Sequence, residues 1–85
     1  IGTVYYKSQQ YAKGLELYQQ ALKLAKDSGD RAGEAVTLNN LGTTRNKLGE
    51  FRQAAELYQQ TLTIRAEVGD RLGEAITLGN LGSAY

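Results

Sequence analysis

A chain of 85 residues allows one domain at most, close to the size at which a single core is only marginally sufficient. Its ten basic and nine acidic residues leave a net charge of +1 and are scattered, with no basic stripe to address nucleic acid and no charged tail. Histidine and cysteine are absent, which removes the commonest general base, the thiolate nucleophile, the usual transition-metal ligands and any disulfide framework.

In chain order, residues 1–8 read as a partial helix, followed by helices over about 11–28, 32–48, 51–68 and 71–85. In 11–28 the apolar stripe runs through Leu15, Tyr18, Ala21, Leu22 and Ala25. In 32–48 it runs through Ala35, Leu38, Leu41, the stem of Arg45, and Leu48. In 51–68 it is Ala54, Leu57, Tyr58, Thr61, Leu62 and Ile64, again at the three-and-four spacing of one helix face. Gly29, Gly49 and Gly69 stand just past helix ends, where a left-handed cap residue is wanted. Asp30 and Asp70 follow as N-caps, because a carboxylate accepts from the free amides of the next first turn. Strand signals and proline are both missing.

The elements repeat. Residues 11–45 align without a gap on 51–85, with 17 of 35 positions identical, a period of 40 residues. Residues 1–10 keep phase with 41–50 through Gly2, Thr3 and Lys7. A fixed period of this size marks a solenoid whose units bury their apolar faces against neighbours. The pairs Ile1-Gly2, Leu41-Gly42 and Leu81-Gly82 recur in register. Glycine inside a helix costs about 1 kcal/mol relative to alanine. The recurrence therefore predicts close approach of another helix at Gly2, Gly42 and Gly82, with Gly14 and Ala54 as the opposing surface.

The run Leu38-x-x-Leu41-Gly42, then Gly49-x-Phe51-x-x-Ala54, Tyr58 and Leu62 resembles the tetratricopeptide repeat, in its longer variety linked by Gly-Asp-Arg-x-Gly-Glu-Ala. The resemblance covers essentially the whole chain. Two positions depart from it: Arg45 stands where Tyr5 and Tyr85 keep an aromatic, and Thr61 stands where the other copy has Ala21. The fold class it implies is all-α, a right-handed α-solenoid of antiparallel helix pairs with about five helices. With helix A the type that carries Leu41-Gly42 and helix B the type that carries Leu57-Tyr58, 1–10 is a partial helix A, 11–50 a repeat, and 51–85 a repeat lacking its final helix B. Family members line the concave surface with helix A and bind peptide segments there.

The two helix types differ in what they show outward. Helix B shows Lys13, Glu16, Gln20, Lys23, Lys26 and Asp27, then Arg52, Glu56, Gln60 and Glu67, a solvated face. Helix A shows Val36, Asn39, Asn40, Thr43, Asn46 and Lys47, with Ile76, Gly79, Asn80 and Ser83 following and Thr3, Tyr6 and Lys7 preceding. Asparagine and threonine are poor helix formers, so a merely solvated face would be better filled by Glu, Lys or Gln. The candidate peptide-binding set is therefore Asn39, Asn40, Thr43, Asn46, Lys47, Asn80, Ser83, Thr3, Tyr6 and Lys7. Asn40 and Asn80 precede the Leu-Gly pair, where the resembled family often keeps an asparagine on the peptide backbone. The alternative is that these amides bond one another between adjacent A helices.

Catalysis is not expected. Asp30, Asp70, Glu34 and Glu74 sit at helix starts, where capping and the helix dipole account for acid. Ser28-Gly29-Asp30 lacks the spacing of a calcium loop, and no Walker sequence follows any glycine cluster. No cofactor, metal, nucleic acid or membrane is expected as partner, and the location expected is cytoplasmic. Two functions stay open: a peptide-binding interaction module, or a structural segment that spaces or oligomerises neighbouring domains. Ile1 starts within a repeat, so the chain reads as a fragment of a longer array. Arrays need about three repeats and polar capping helices. Uncovered apolar surface around Leu78, Leu81 and Tyr85 therefore predicts self-association, by end-to-end stacking or exchange of terminal helices.

Overall fold

The computed structural model describes the backbone of residues 2–84 and the side chains of residues 10–82. Four helices follow one another: α1 (Gly2–Asp27), α2 (Arg31–Lys47), α3 (Phe51–Glu67) and α4 (Arg71–Ala84). The expectation of about five helices is corrected here, because the partial helix and the one that follows it run together as α1 from Gly2 to Asp27. The reason is local. The turn that separates α2 from α3 is Leu48-Gly49-Glu50, and its counterpart one period earlier is Ser8-Gln9-Gln10. Gln9 is a good helix former and a poor occupant of positive φ, so nothing stops the helix there.

The other three turns carry the cap residues that the sequence predicts. Gly29, Gly49 and Gly69 have φ of 71°, 81° and 75°. Each turn closes with the same pair of bonds. Asp30 N donates to the Ala25 carbonyl at 2.9 Å and Gly29 N to Lys26 at 3.2 Å, the six-to-one and five-to-two bonds of a Schellman end. Glu50 and Asp70 repeat the first bond, to Arg45 at 2.9 Å and to Arg65 at 2.8 Å.

Helix starts differ between the two turn types. Asp30 and Asp70 accept from the backbone N of Gly33 and Gly73, each at 2.9 Å. A Cβ at Gly33 or Gly73 would lie 2.3 Å or 2.2 Å from the second carboxylate oxygen of the capping aspartate, so a side chain there would make the aspartate shift from this rotamer. Glu50 makes no such bond and pairs instead with Arg45, at 2.8 Å. Asp70→Ala is expected to cost about 0.5–2 kcal/mol, the worth of an N-cap. A thermal melt of this variant matching the parent would contradict the cap assignment.

Contacts between α2 and α3 run in opposite order along the chain, Arg31 to Glu67, Leu38 beside Ile64, and Thr43 to Tyr58, so the two helices are antiparallel. One core cluster joins Ala35, Leu38 and Ile64, with Leu22 and Leu57 packed against it. The other joins Ala54, Ala55, Tyr58 and Leu81. Both clusters draw on α3, which packs on α2 and on α4. Most of the packing is between helices adjacent in the chain, with α2 also meeting α4, as in a repeat array.

Two polar clasps supplement the cores. The Arg31 guanidinium holds the buried Glu34 at 3.2 Å and also bonds Glu67 of α3. Its pKa is raised above the ordinary arginine value, first by the Glu67 hydrogen bond; desolvation opposes the rise, and the charge of Glu67 with the hydrogen bond and charge of Glu34 adds to it. Arg65 Nη1 donates to the Gly73 carbonyl at 3.0 Å and to Oγ1 of the fully buried Thr77 at 2.8 Å, tying α3 to α4.

Candidate functional site

The close approach predicted at the Leu-Gly pair is present at Gly42. A Cβ there would lie 2.8 Å from Cε1 and 2.9 Å from Cδ1 of the Tyr58 ring. Tyr58 is 1% exposed, and its hydroxyl donates to Thr43 Oγ1 at 2.9 Å. The missing side chain of one helix thus seats the aromatic of the next, and the hydroxyl of the residue after Gly42 receives its polar end. The opposing surface is therefore the ring of Tyr58, not Gly14. A Cβ on Gly14 would meet only Tyr18 of its own helix, at 4.0 Å. Ala54 is fully buried in the cluster around Tyr58. Gly82 departs from the expectation: among the described residues nothing lies within 4 Å of a Cβ built there. The residue matching Tyr58 would fall sixteen positions later, past Tyr85. The surroundings of Gly2 lie outside the described residues.

This arrangement fixes the rotation of α2 and so decides which residues are left at its surface. Asn39, Asn40, Thr43 and Asn46 are half-buried, and Val36 and Lys47 are exposed. On α4, Ile76 and Gly79 are exposed and Asn80 is half-buried. The side chains of Thr3, Tyr6, Lys7 and Ser83 lie outside the described residues.

Within this set the roles separate. Asn80 Nδ2 donates to Asn39 Oδ1 at 3.1 Å, joining α4 to α2. This is the bonding between A helices that competes with a ligand-contacting role for Asn80. Thr43 is engaged by Tyr58. Asn40 offers its backbone carbonyl to Thr44 Oγ1 at 2.9 Å, while its amide side chain has no hydrogen bond among the described residues. Asn46 Oδ1 is dehydrated and has no partner among them. A buried amide oxygen left unpaired costs about 1–3 kcal/mol. Side-chain amides can donate and accept at once, which matches them to a peptide unit.

Sequence reasoning missed Gly33, Gly73 and the Arg65 clasp. The glycines were legible as Asp-Arg-x-Gly in both copies. Arg65 was not, since its counterpart is Ala25 and the clasp belongs to one copy alone. Among the described residues no group of three or more His, Cys, Asp or Glu could hold a metal ion, and no helix is long and apolar enough to cross a membrane.

Helix pairs joined by Gly-Asp turns, with an aromatic seated on the glycine of a Leu-Gly pair, define an all-α repeat solenoid. Residues 1–67 match the family described as Tetratricopeptide repeat, and the chain belongs to that family. Repeats of this family generally mediate protein–protein interaction and are typically non-catalytic. No curated protein matches the chain.

Proposed function

We propose that the chain binds extended peptide segments of a protein partner along the helix-A face formed by α2 and α4. The observation that carries this reading is the row Asn39, Asn40, Thr43 and Asn46, uncharged and half-buried, ending in an amide oxygen without a partner among the described residues. Solvated helix faces in the same molecule look different: Lys13, Glu16, Lys23, Arg52 and Glu56 are all exposed and charged. Asn40 is the residue most available to a peptide backbone, with Asn46 six positions further along α2. Asn39 and Asn80 hold one another and shape the floor between the helices.

The test is selection of binders from a random-sequence peptide display library on the intact chain, followed by titration of the Asn40→Ala variant. Binding is expected to weaken by about 1–2 kcal/mol, through the peptide group left unpaired, with the melting curve unchanged. Equal affinity would remove Asn40 from the site. Loss of affinity on changing Arg52 or Glu56 instead would move it to the helix-B face.

A further inference from the structure

Exposed aliphatic residues on the helix-A face recur at one place in the repeat. Val36 and Ile76, 40 positions apart, are 51% and 52% exposed. Val36 is exposed although α2 packs on α1, α3 and α4, so its exposure belongs to its position in the repeat. The helices α2 and α4 run parallel, since each is antiparallel to α3: Arg65 reaches Thr77, and Tyr58 packs with Leu81. Val36 lies three positions before Asn39 and Ile76 four before Asn80, about one turn from the bond that joins those amides. One aliphatic residue from each helix therefore flanks the same end of the Asn39–Asn80 bridge.

Along α2, Val36 opens a stripe that continues through Asn40 and Thr43 to Lys47. At about 100° per residue all four lie within about 60° of one another. Charge on this helix is divided. Its acid, Glu34, is buried and held by Arg31, and it stands two positions, hence about 200°, from Val36. Arg45 is paired with Glu50, whereas Lys47 is exposed and in no ion pair among the described residues. The stripe has an apolar end and a cationic end, with amide and hydroxyl groups between them.

Building on the peptide-binding reading above, we propose that this face selects extended segments with an aliphatic side chain against Val36 and Ile76 and a carboxylate at Lys47, about five residues apart. The spacing follows from geometry: eleven positions of helix span about 16 Å, which an extended chain covers in about five residues. The aliphatic contact supplies affinity through the apolar area it takes from water. The lysine supplies direction, because an acid at the opposite end of the segment meets no cation on the stripe.

The experiment is the random-sequence peptide selection run on the 85-residue chain, on the double variant Val36→Ser with Ile76→Ser, and on Lys47→Glu. Peptides selected on the parent are then titrated against each variant and against Asn40→Ala. Those peptides are expected to share an aliphatic residue and, about four to six residues away, an Asp or Glu. Their affinity is expected to fall about tenfold on the double variant. It is expected to fall about fivefold on Lys47→Glu, an effect that shrinks with added salt. Selection on Lys47→Glu is expected to keep the aliphatic residue and to exchange the acid for Lys or Arg at the same spacing. All three sites are exposed, and circular dichroism of each variant should match the parent; Val36→Thr, Ile76→Thr and Lys47→Gln replace any that does not. Parent peptides without the aliphatic–acid pair, or a selection that Lys47→Glu leaves unmoved, would overturn the proposal. If such peptides still weaken on Asn40→Ala, the helix-A face binds peptide without this preference. Peptides indifferent to all of these changes would overturn both readings.

Discussion

Tyr58→Ala is expected to lower the unfolding free energy by about 3–5 kcal/mol, the cost of truncating a large buried aromatic. Tyr58 is 1% exposed and lies in the cluster with Ala54, Ala55 and Leu81, so its loss opens a cavity between α2, α3 and α4 together. The change also removes the donor to Thr43 Oγ1. A small domain holds only about 5–15 kcal/mol in total, so the variant is expected to be largely unfolded on mild warming. Urea denaturation followed by helical circular dichroism measures it. A shift below about 1 kcal/mol would mean that the ring is not where the two helix pairs are joined.

Gly42→Val is expected to cost about 3 kcal/mol, at the upper end of overpacking, although valine removes the intrinsic helix penalty of glycine. The ring atoms 2.8 and 2.9 Å from the new Cβ cannot swing aside, because the ring is enclosed and its hydroxyl is tethered. Neighbouring changes couple, so the pair is best read as a cycle. In the double variant the valine occupies part of the space left by the ring. The combined loss is therefore expected to be smaller than the sum of the two single losses. Strict additivity would separate Gly42 from Tyr58 and remove the close-approach explanation of the Leu-Gly pair. Gly82→Val is the internal control, expected to leave the monomer's stability unchanged or slightly raised, since nothing lies within 4 Å of that site among the described residues.

Local chemistry was legible in the sequence wherever one residue type has a unique physical role. Gly29, Gly49 and Gly69 read as left-handed caps because few other residues accept their φ, and Asp30 and Asp70 read as N-caps because they precede helix starts. The apolar stripes, with Leu38 and Leu41 on α2 and Tyr58 and Ile64 on α3, were equally readable, because period alone places each set toward one side of its own helix. What the period could not supply was partner identity. Gly42 announced a close neighbour, but that the neighbour is the Tyr58 ring depends on the angle and offset between α2 and α3. The repeat also misled at Ser8-Gln9-Gln10, where phase implied a turn and composition implied helix; composition prevailed. On the candidate face, the amide-rich row was visible, but the Asn80–Asn39 bond spans 41 positions and requires two helices to be placed before it can be seen. Arg65 escaped notice because a lone arginine reads as solvated until Thr77 and Gly73 are brought beneath it.

The most direct test of the interaction reading is a nuclear magnetic resonance map of the chain titrated with a peptide selected from the display library. The account predicts that shifted backbone and side-chain amide signals cluster at Asn39, Asn40, Thr43, Asn46 and Lys47 on α2, extending to Ile76 and Asn80 on α4. Shifts confined to Lys13, Glu16, Lys23, Arg52 and Glu56 would contradict it and place recognition on the charged face of α1 and α3.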